Sequence, residues 1–254
     1  MAEADPYPRV RFVVLAAPRT GSNWLCTLLD SHPEVLCHHE IFNPGGLHYS
    51  LRLRDGSFDL GSVAERDRAP EAVLERVWRH SLGHPAVGFK LNRGQDERVF
   101  RQVLADPGVR ALVLHRRNRI RAFVSEQIAE RTGRWESYAG SGDGAGSGPR
   151  RLVVEPAALR AGAERNERYY AALEAALRTA GKPALTLVYE RLAEPEERRP
   201  LLRFLGVADR PELLSRATHK QNPYPLSELI ANFAQLAADL RGSDLEAELH
   251  ADDP

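Results

Sequence analysis

The sequence predicts an α/β fold: a single domain with a mostly parallel central sheet flanked by helices. Two patterns carry that expectation. Short apolar runs of strand length recur along the chain, and most are followed by a segment whose apolar residues fall at helical spacing. The first such pair is joined by a tight polar loop, Ala16-Ala17-Pro18-Arg19-Thr20-Gly21-Ser22-Asn23-Trp24, of the kind that aims backbone N–H groups and a helix N-terminus at one oxyanion. At 254 residues the chain is long enough to bury a substantial core.

The elements follow in order. Val10, Phe12, Val13, Val14 and Leu15 read as a buried strand, and Trp24, Leu25, Leu28 and Leu29 as the inner face of a helix. Ser31-His32-Pro33 stops that helix, residues 34–38 form a short second strand, and residues 39–46 form a polar loop ending in turn residues. Residues 47–69 are polar and read as loop or weak helix. Pro70 opens a helix with Val73, Leu74, Val77 and Trp78 inward. A strand at 87–91 precedes a helix carrying Val99, Phe100, Val103 and Leu104, and residues 109–115 form the clearest buried strand after the first.

A helix from about Arg119 follows, with Ile120, Phe123, Val124 and Ile128 inward. A Gly- and Ser-rich segment, about 136–150, lacks the apolar residues to fix itself by burial and is expected to be a mobile loop, either a substrate lid or an insertion. Pro156 begins a long helix ending at Gly181, residues 184–189 form a strand, and a helix surrounds Leu201, Leu202 and Leu205. Leu226, Leu229, Ile230, Phe233, Leu236 and Leu240 predict one amphipathic helix. No internal repeat occurs, and strands on both sides of the Gly-rich loop are expected to join one sheet, so residues 1–254 are read as one domain.

Composition narrows the functions. Lys plus Arg and Asp plus Glu both number 35, giving zero net charge. This argues against a general nucleic-acid binder or a polybasic membrane protein. Cys26 and Cys37 are the two cysteines and fit neither a metal motif nor a disulfide scaffold. The first strand starts too early for a secretion signal ahead of it, and no later run has the length of a membrane span. A soluble cytoplasmic protein is expected, with no nucleic-acid or membrane partner. Oligomeric state stays open, a homo-oligomer included.

In open parallel sheets ligands bind beyond the carboxyl ends of the strands. Three such ends carry polar residues: the loop from Pro18 to Trp24, the run His115-Arg116-Arg117-Asn118-Arg119 with Ser125 eight residues beyond Arg117, and Tyr189-Glu190-Arg191-Leu192. Arg117 offers a guanidinium fork and Ser125 a hydroxyl, and both suit one anionic group. A solvated helix start paired with Glu126 and Glu130 is the competing reading of the same arginines.

Together these segments resemble the sulfotransferases that use 3′-phosphoadenosine 5′-phosphosulfate (PAPS). Pro18-Arg19-Thr20-Gly21-Ser22-Asn23-Trp24 looks like their P-loop-like phosphosulfate loop, Arg117 and Ser125 match the spacing of their 3′-phosphate site, and Tyr189-Glu190-Arg191-Leu192 looks like their Tyr-Glu-Asp-Leu segment, with Arg191 departing from Asp. Phe204-Leu205-Gly206 is also similar. Ser31-His32-Pro33-Glu34-Val35 with His39-Glu40 is nearer the bacterial carbohydrate sulfotransferases of nodulation-factor and trehalose type.

The resemblance implies a PAPS-dependent enzyme that passes sulfonate to a hydroxyl of a carbohydrate or small molecule, with 3′-phosphoadenosine 5′-phosphate (PAP) as product. No obvious Asp stands at the end of a later strand for magnesium, so no metal is expected. It implies donor binding by Arg19, Thr20, Gly21, Ser22, Asn23, Trp24, Arg117, Ser125, Tyr189 and Lys220. Arg19 would stabilise the leaving phosphate and Glu40 would take the acceptor's proton, with His39 or His38 as competing bases. At such a position Trp24 is more often core than a cofactor contact. Lys90, at a strand end in the same layer, reads either as a contact to donor or acceptor or as a simple strand cover. The acceptor pocket is expected from residues 40–70, the 133–150 loop and the C-terminal helix. A catalytically silent nucleotide-binding module and an ATP-dependent small-molecule kinase are the alternatives. The kinase signature Gly-x-x-x-x-Gly-Lys-Ser/Thr is absent.

Overall fold

Among the described residues, five strands form one parallel sheet: β1 (Val10–Ala16), β2 (Val35–His38), β3 (Ala86–Asn92), β4 (Val109–His115) and β5 (Ala184–Val188), in the spatial order β2-β3-β1-β4-β5. The computed structural model describes residues 8–56, 58–135, 150–215 and 223–251. The helices are α1 (Ser22–Asp30), α2 (Val63–Arg68), α3 (Pro70–Arg79), α4 (Glu97–Ala105), α5 (Arg119–Thr132), α6 (Pro156–Thr179), α7 (Arg199–Leu205), α8 (Leu226–Leu229) and α9 (Phe233–Asp239).

The connection from β1 runs out to the edge strand β2, and every later connection runs the other way across the sheet. Right-handed crossovers therefore put α1 on one face and α3, α4 and α6 on the other. The strand pleat matches. Phe12, Val14 and Ala16 pack with Leu25, Leu28 and Leu29 of α1 and Leu201, Leu202 and Leu205 of α7. Val13 and Leu15 pack on the opposite face with Val77 of α3, Val99 and Val103 of α4, and Leu173 and Leu177 of α6. Each such fully buried side chain contributes about 2 kcal/mol to burial. A third cluster joins Ile120, Val124 and Ile128 of α5 to Leu152, Val154 and the apolar residues of the C-terminal segment.

Two expectations need correction. The predicted C-terminal helix is two short helices, α8 and α9, because Ile230 is extended (φ −102°, ψ 116°) and bridges Leu152. Leu152 N–H donates to Leu229 O at 2.9 Å, Ala231 N–H donates to Leu152 O at 2.8 Å, and the Asn232 amide exchanges two 2.9 Å hydrogen bonds with the backbone of Val154. The buried residues are those the helical spacing selects, but a strand-like partner interrupts the backbone. The loop at 39–46 is not polar throughout, since His39, Ile41 and Phe42 are buried. Within 47–69, a reciprocal capping box of Ser62 and Glu65 starts α2. The Gly- and Ser-rich segment falls almost wholly outside the described residues.

Asn232→Ala removes both bonds to Val154 and leaves buried backbone groups unsatisfied, so a loss of about 1–3 kcal/mol is expected in urea unfolding. An unchanged midpoint would contradict the role given to Asn232 in ending α8.

Candidate active site

β1 and β4 lie side by side, and the connections after them leave in opposite directions, so a crevice opens beyond their carboxyl ends. The loop after β1 enters it. Arg19 has φ 61° and Gly21 φ 90°, both in the left-handed region. Gly21 is the N-cap of α1 and supplies no side-chain cap, a kind of helix start whose first-turn N–H groups suit an anion. Glycine is required twice over, because a Cβ at this φ would also collide with the Tyr189 ring.

Several distant residues hold the loop. The Tyr170 hydroxyl accepts from Ala17 N–H at 3.0 Å and donates to Leu114 O at 2.7 Å, tying the ends of β1 and β4 to α6. The Thr20 hydroxyl donates to Ala17 O at 2.9 Å. Tyr189, just past β5, meets Trp24 edge-on with ring centroids 5.3 Å apart. The Arg116 guanidinium lies 4.8 Å over the Tyr189 ring and donates to Arg19 O at 3.1 Å. Trp24 is buried in the core and supports Tyr189. Arg19 Nε donates to Ser125 Oγ at 3.0 Å, and its Nη1 donates to Trp135 O at 2.5 Å.

Ser125 is thus joined to the first loop. Arg117 is exposed at the start of α5, and its N–H donates to both oxygens of Glu190, at 2.9 and 3.1 Å. Asn118 N–H donates to Glu190 at 3.0 Å, and the Asn118 side chain caps α5 by accepting from Arg121 N–H at 2.8 Å. Glu190 therefore fastens the segment after β5 to the segment after β4. Arg119 is consumed by Glu248, Asp244 and Glu167. Arg191 pairs with Glu197 on the surface. Lys220 lies outside the described residues.

On the other side of β1, Glu40 follows β2 and is a site in itself. Its Oε1 meets Lys90 Nζ at 2.6 Å and accepts from Asn92 Nδ2 at 3.1 Å; its Oε2 accepts from Asn43 Nδ2 at 2.6 Å and from Gln95 Nε2. Lys90 is almost fully buried and also donates to Asn23 Oδ1 in the first turn of α1. Burial pushes the Glu40 carboxyl up, and the Lys90 charge with hydrogen bonds from Lys90, Asn43 and Gln95 outweighs it, leaving the group below the ordinary carboxylate range. His39 is buried; burial first, then the charges of Lys90 and Arg54 with His38 and His48, hold it well below the usual histidine value. His38 is buried too and lowered to about 3 by burial and Arg52, its Nδ1 accepting from Ser50 N–H at 3.3 Å.

Two features escape the sequence reading. Arg66 of α2 is 2% exposed and donates from Nη1 to the carbonyls of Ile41, Asn43 and Gly46, clamping the loop that carries Glu40. In sequence it sits among four other charged residues with no apolar period to mark it. A cleft lined by Asn92, Arg93, Gln95, Asp96, Phe100 and Tyr169 adjoins Glu40 through Asn92 and Gln95. None of these residues lies in the segments expected to build the acceptor pocket. Among the described residues, no group of three or more His, Cys, Asp or Glu gathers as for a metal ion, and no helix is long and apolar enough to cross a membrane.

The chain is 28% identical to Nodulation protein H of Rhizobium tropici over 255 residues, spanning 95% of the chain and 94% of that protein. It is 30% identical to Nodulation protein H of Rhizobium meliloti (strain 1021) over 134 residues, which is 52% of each, so that match spans about half the length of the relative. The structure of a sulfotransferase from Alicyclobacillus acidocaldarius aligns over 98% of both chains at 20% identity, with a TM-score of 0.49. No protein-family model matches. The nodulation-type resemblance read from the motifs is borne out: the chain is related to the nodulation H proteins.

Gly21→Ala forces a side chain into a left-handed position and against Tyr189, at a cost of about 1–3 kcal/mol in the loop. Titration with 3′,5′-adenosine bisphosphate is expected to show roughly 10- to 100-fold weaker binding than the parent. Equal affinity would contradict a binding role for the loop.

Proposed function

We propose that this relative of the nodulation H proteins is a sulfotransferase that takes the sulfonate group of PAPS and passes it to a hydroxyl of a carbohydrate or small-molecule acceptor. The observation that carries the reading is the pairing of two devices at the ends of β1 and β2, joined through Lys90 of β3, the strand between them. An uncapped helix start with Arg19 and Ser125 serves the donor, and a carboxylate joined to that helix through Lys90 serves the acceptor. The residues fit the donor: the Gly21 cap position leaves amides for a phosphosulfate, and Tyr189 and Arg116 present a ring and a guanidinium beside it. When bound, PAPS supplies an activated sulfonate with a good leaving group, the 5′-phosphate of PAP.

Each residue then has a chemical task. The N–H groups of Thr20, Gly21, Ser22 and Asn23, with the Ser22 hydroxyl, hold the 5′-phosphosulfate. Arg19 answers the charge that grows on the leaving phosphate. Ser125 and Arg117 serve the 3′-phosphate, and Tyr189 the adenosine. Glu40 takes the proton of the acceptor hydroxyl as the acceptor oxygen bonds to sulfur. The bond from sulfur to the bridging oxygen breaks, and its electron pair stays with the phosphate. The acceptor enters through the cleft of Asn92, Gln95, Phe100 and Tyr169, where amides and aromatic rings suit a hydroxylated molecule. No metal is assigned. His39, neutral and buried beside Lys90, shapes this side of the site.

Labelled PAPS offered with a panel of carbohydrate and small hydroxylated acceptors is expected to yield labelled product. Glu40→Gln is expected to lower the rate about 10²- to 10⁴-fold while 3′,5′-adenosine bisphosphate still binds. No transfer to any acceptor by a protein that binds magnesium-ATP more tightly than the bisphosphate would overturn the reading in favour of a kinase. Transfer by Glu40→Gln at the parent rate would remove Glu40 as the base.

A further inference from the structure

Glu40 is over-supplied with donors. Lys90 and Asn92 on one oxygen, Asn43 and Gln95 on the other, occupy the positions from which a carboxylate accepts. A carboxylate so saturated is a poor proton acceptor, and one partner must leave before a substrate hydroxyl can take its place. The four partners are not equivalent. Asn43 belongs to the same loop as Glu40, and Asn92 and Gln95 belong to the turn after β3, which their hydrogen bond of 2.9 Å (Asn92 N–H to Gln95 Oε1) closes. Lys90 alone of the four also touches the donor loop, through Asn23 in the first turn of α1. It is also the one that carries charge.

Resting on the sulfotransferase reading, we propose that Lys90 is shared between base and donor. It holds Glu40 while no donor is bound and turns to the donor's sulfonate when PAPS arrives, so that Glu40 becomes available as a base only in the loaded enzyme. The ammonium is buried at 1% exposure, so its charge acts through a low dielectric and is drawn to whichever anion is nearest. In the free protein that anion is Glu40. A sulfonate held at the start of α1 adds a second anion beside Asn23, and the long lysine side chain can swing between the two from a fixed Cα on β3. The arrangement makes binding ordered, donor before acceptor, because only donor arrival clears the Glu40 oxygen that the acceptor hydroxyl needs.

The proposal has a proton signature. Lys90 helps to hold the Glu40 carboxyl below its ordinary range. Its withdrawal removes the strongest lowering influence, so the carboxyl moves up under burial although the hydrogen bonds from Asn43 and Gln95 remain. The other groups facing Glu40 are the neutral amides of Asn43, Asn92 and Gln95. His39 beside it is kept neutral by burial, Lys90, Arg54, His38 and His48. Glu40 therefore takes up a proton when the sulfonate-bearing donor binds at a pH near 5, just above the ordinary carboxylate value.

Titration calorimetry near pH 5 in buffers of differing ionisation enthalpy counts those protons. Because the 5′-phosphate of the bisphosphate itself titrates at about pH 6, each nucleotide is compared between proteins and not with the other. The parent is expected to take up measurably more protons on binding PAPS than Glu40→Gln does. This excess is expected to be absent with 3′,5′-adenosine bisphosphate and to fall at least about twofold in Lys90→Met, where the carboxyl is already released in the free protein. Equal uptake by parent and Glu40→Gln on binding PAPS overturns the proposal, as does an excess that is the same with the bisphosphate or is unchanged in Lys90→Met. Should Lys90→Met fail to fold, the parent and Glu40→Gln decide the question by themselves. Failure of PAPS to bind the parent protein overturns the sulfotransferase reading and this proposal with it, whereas binding without excess uptake overturns this proposal alone.

Discussion

A parallel sheet whose connections change direction leaves one gap between strand ends that no crossover helix covers. Here that gap lies between β1 and β4, because the chain leaves β1 toward the β2 edge and thereafter travels the other way. The rest of the site depends on it. The loop after β1 is free to point its amides outward, and α1 starts with a glycine that offers no side chain to satisfy them. Tyr170 reaches from α6 to hold both strand ends at the gap, accepting from Ala17 and donating to Leu114. Tyr189 closes the loop from the β5 side, and its ring occupies the space that any residue larger than glycine would need at position 21.

The second half of the site hangs on the same loop through one buried charge. Lys90 stands between Asn23 and Glu40, so the helix start and the carboxylate cannot be positioned independently. Arg66 fixes the carboxylate from the opposite side by gathering three carbonyls of the 41–46 turn. A buried guanidinium is stable there because carbonyl oxygens and Asp67 satisfy it. Glu40 is thus held between two buried cations, one on its loop and one on its oxygen. This is a geometry suited to a group that must be ionised, fixed and then released.

The strands and most helices were legible because their burial follows simple periods. Residues 10–16 carry both faces of a central strand, and α1, α3, α4 and α6 each bury one stripe. The loop after β1 was legible because glycine, a basic residue and hydroxyls gather at a strand-to-helix turn. What escaped depends on contacts across long sequence distances. The C-terminal helix is split by a bridge between Ile230 and Leu152, and nothing local at position 230 forecasts that partner. Arg66 and Tyr170 look like ordinary members of their helices until the fold brings carbonyls to them. Spacing pairs Ser125 with Arg117, and the fold adds a hydrogen bond from Arg19, 106 residues away in sequence, which no local pattern announces.

The central claim is that the crevice between β1 and β4 is the donor site. A crystal structure of the protein with 3′,5′-adenosine bisphosphate tests it most directly. The account predicts the 5′-phosphate on the amides at the start of α1, within reach of Arg19, and the 3′-phosphate beside Ser125. A nucleotide seated elsewhere, in the cleft of Gln95 and Tyr169 for example, with the loop at Gly21 unliganded, would contradict it.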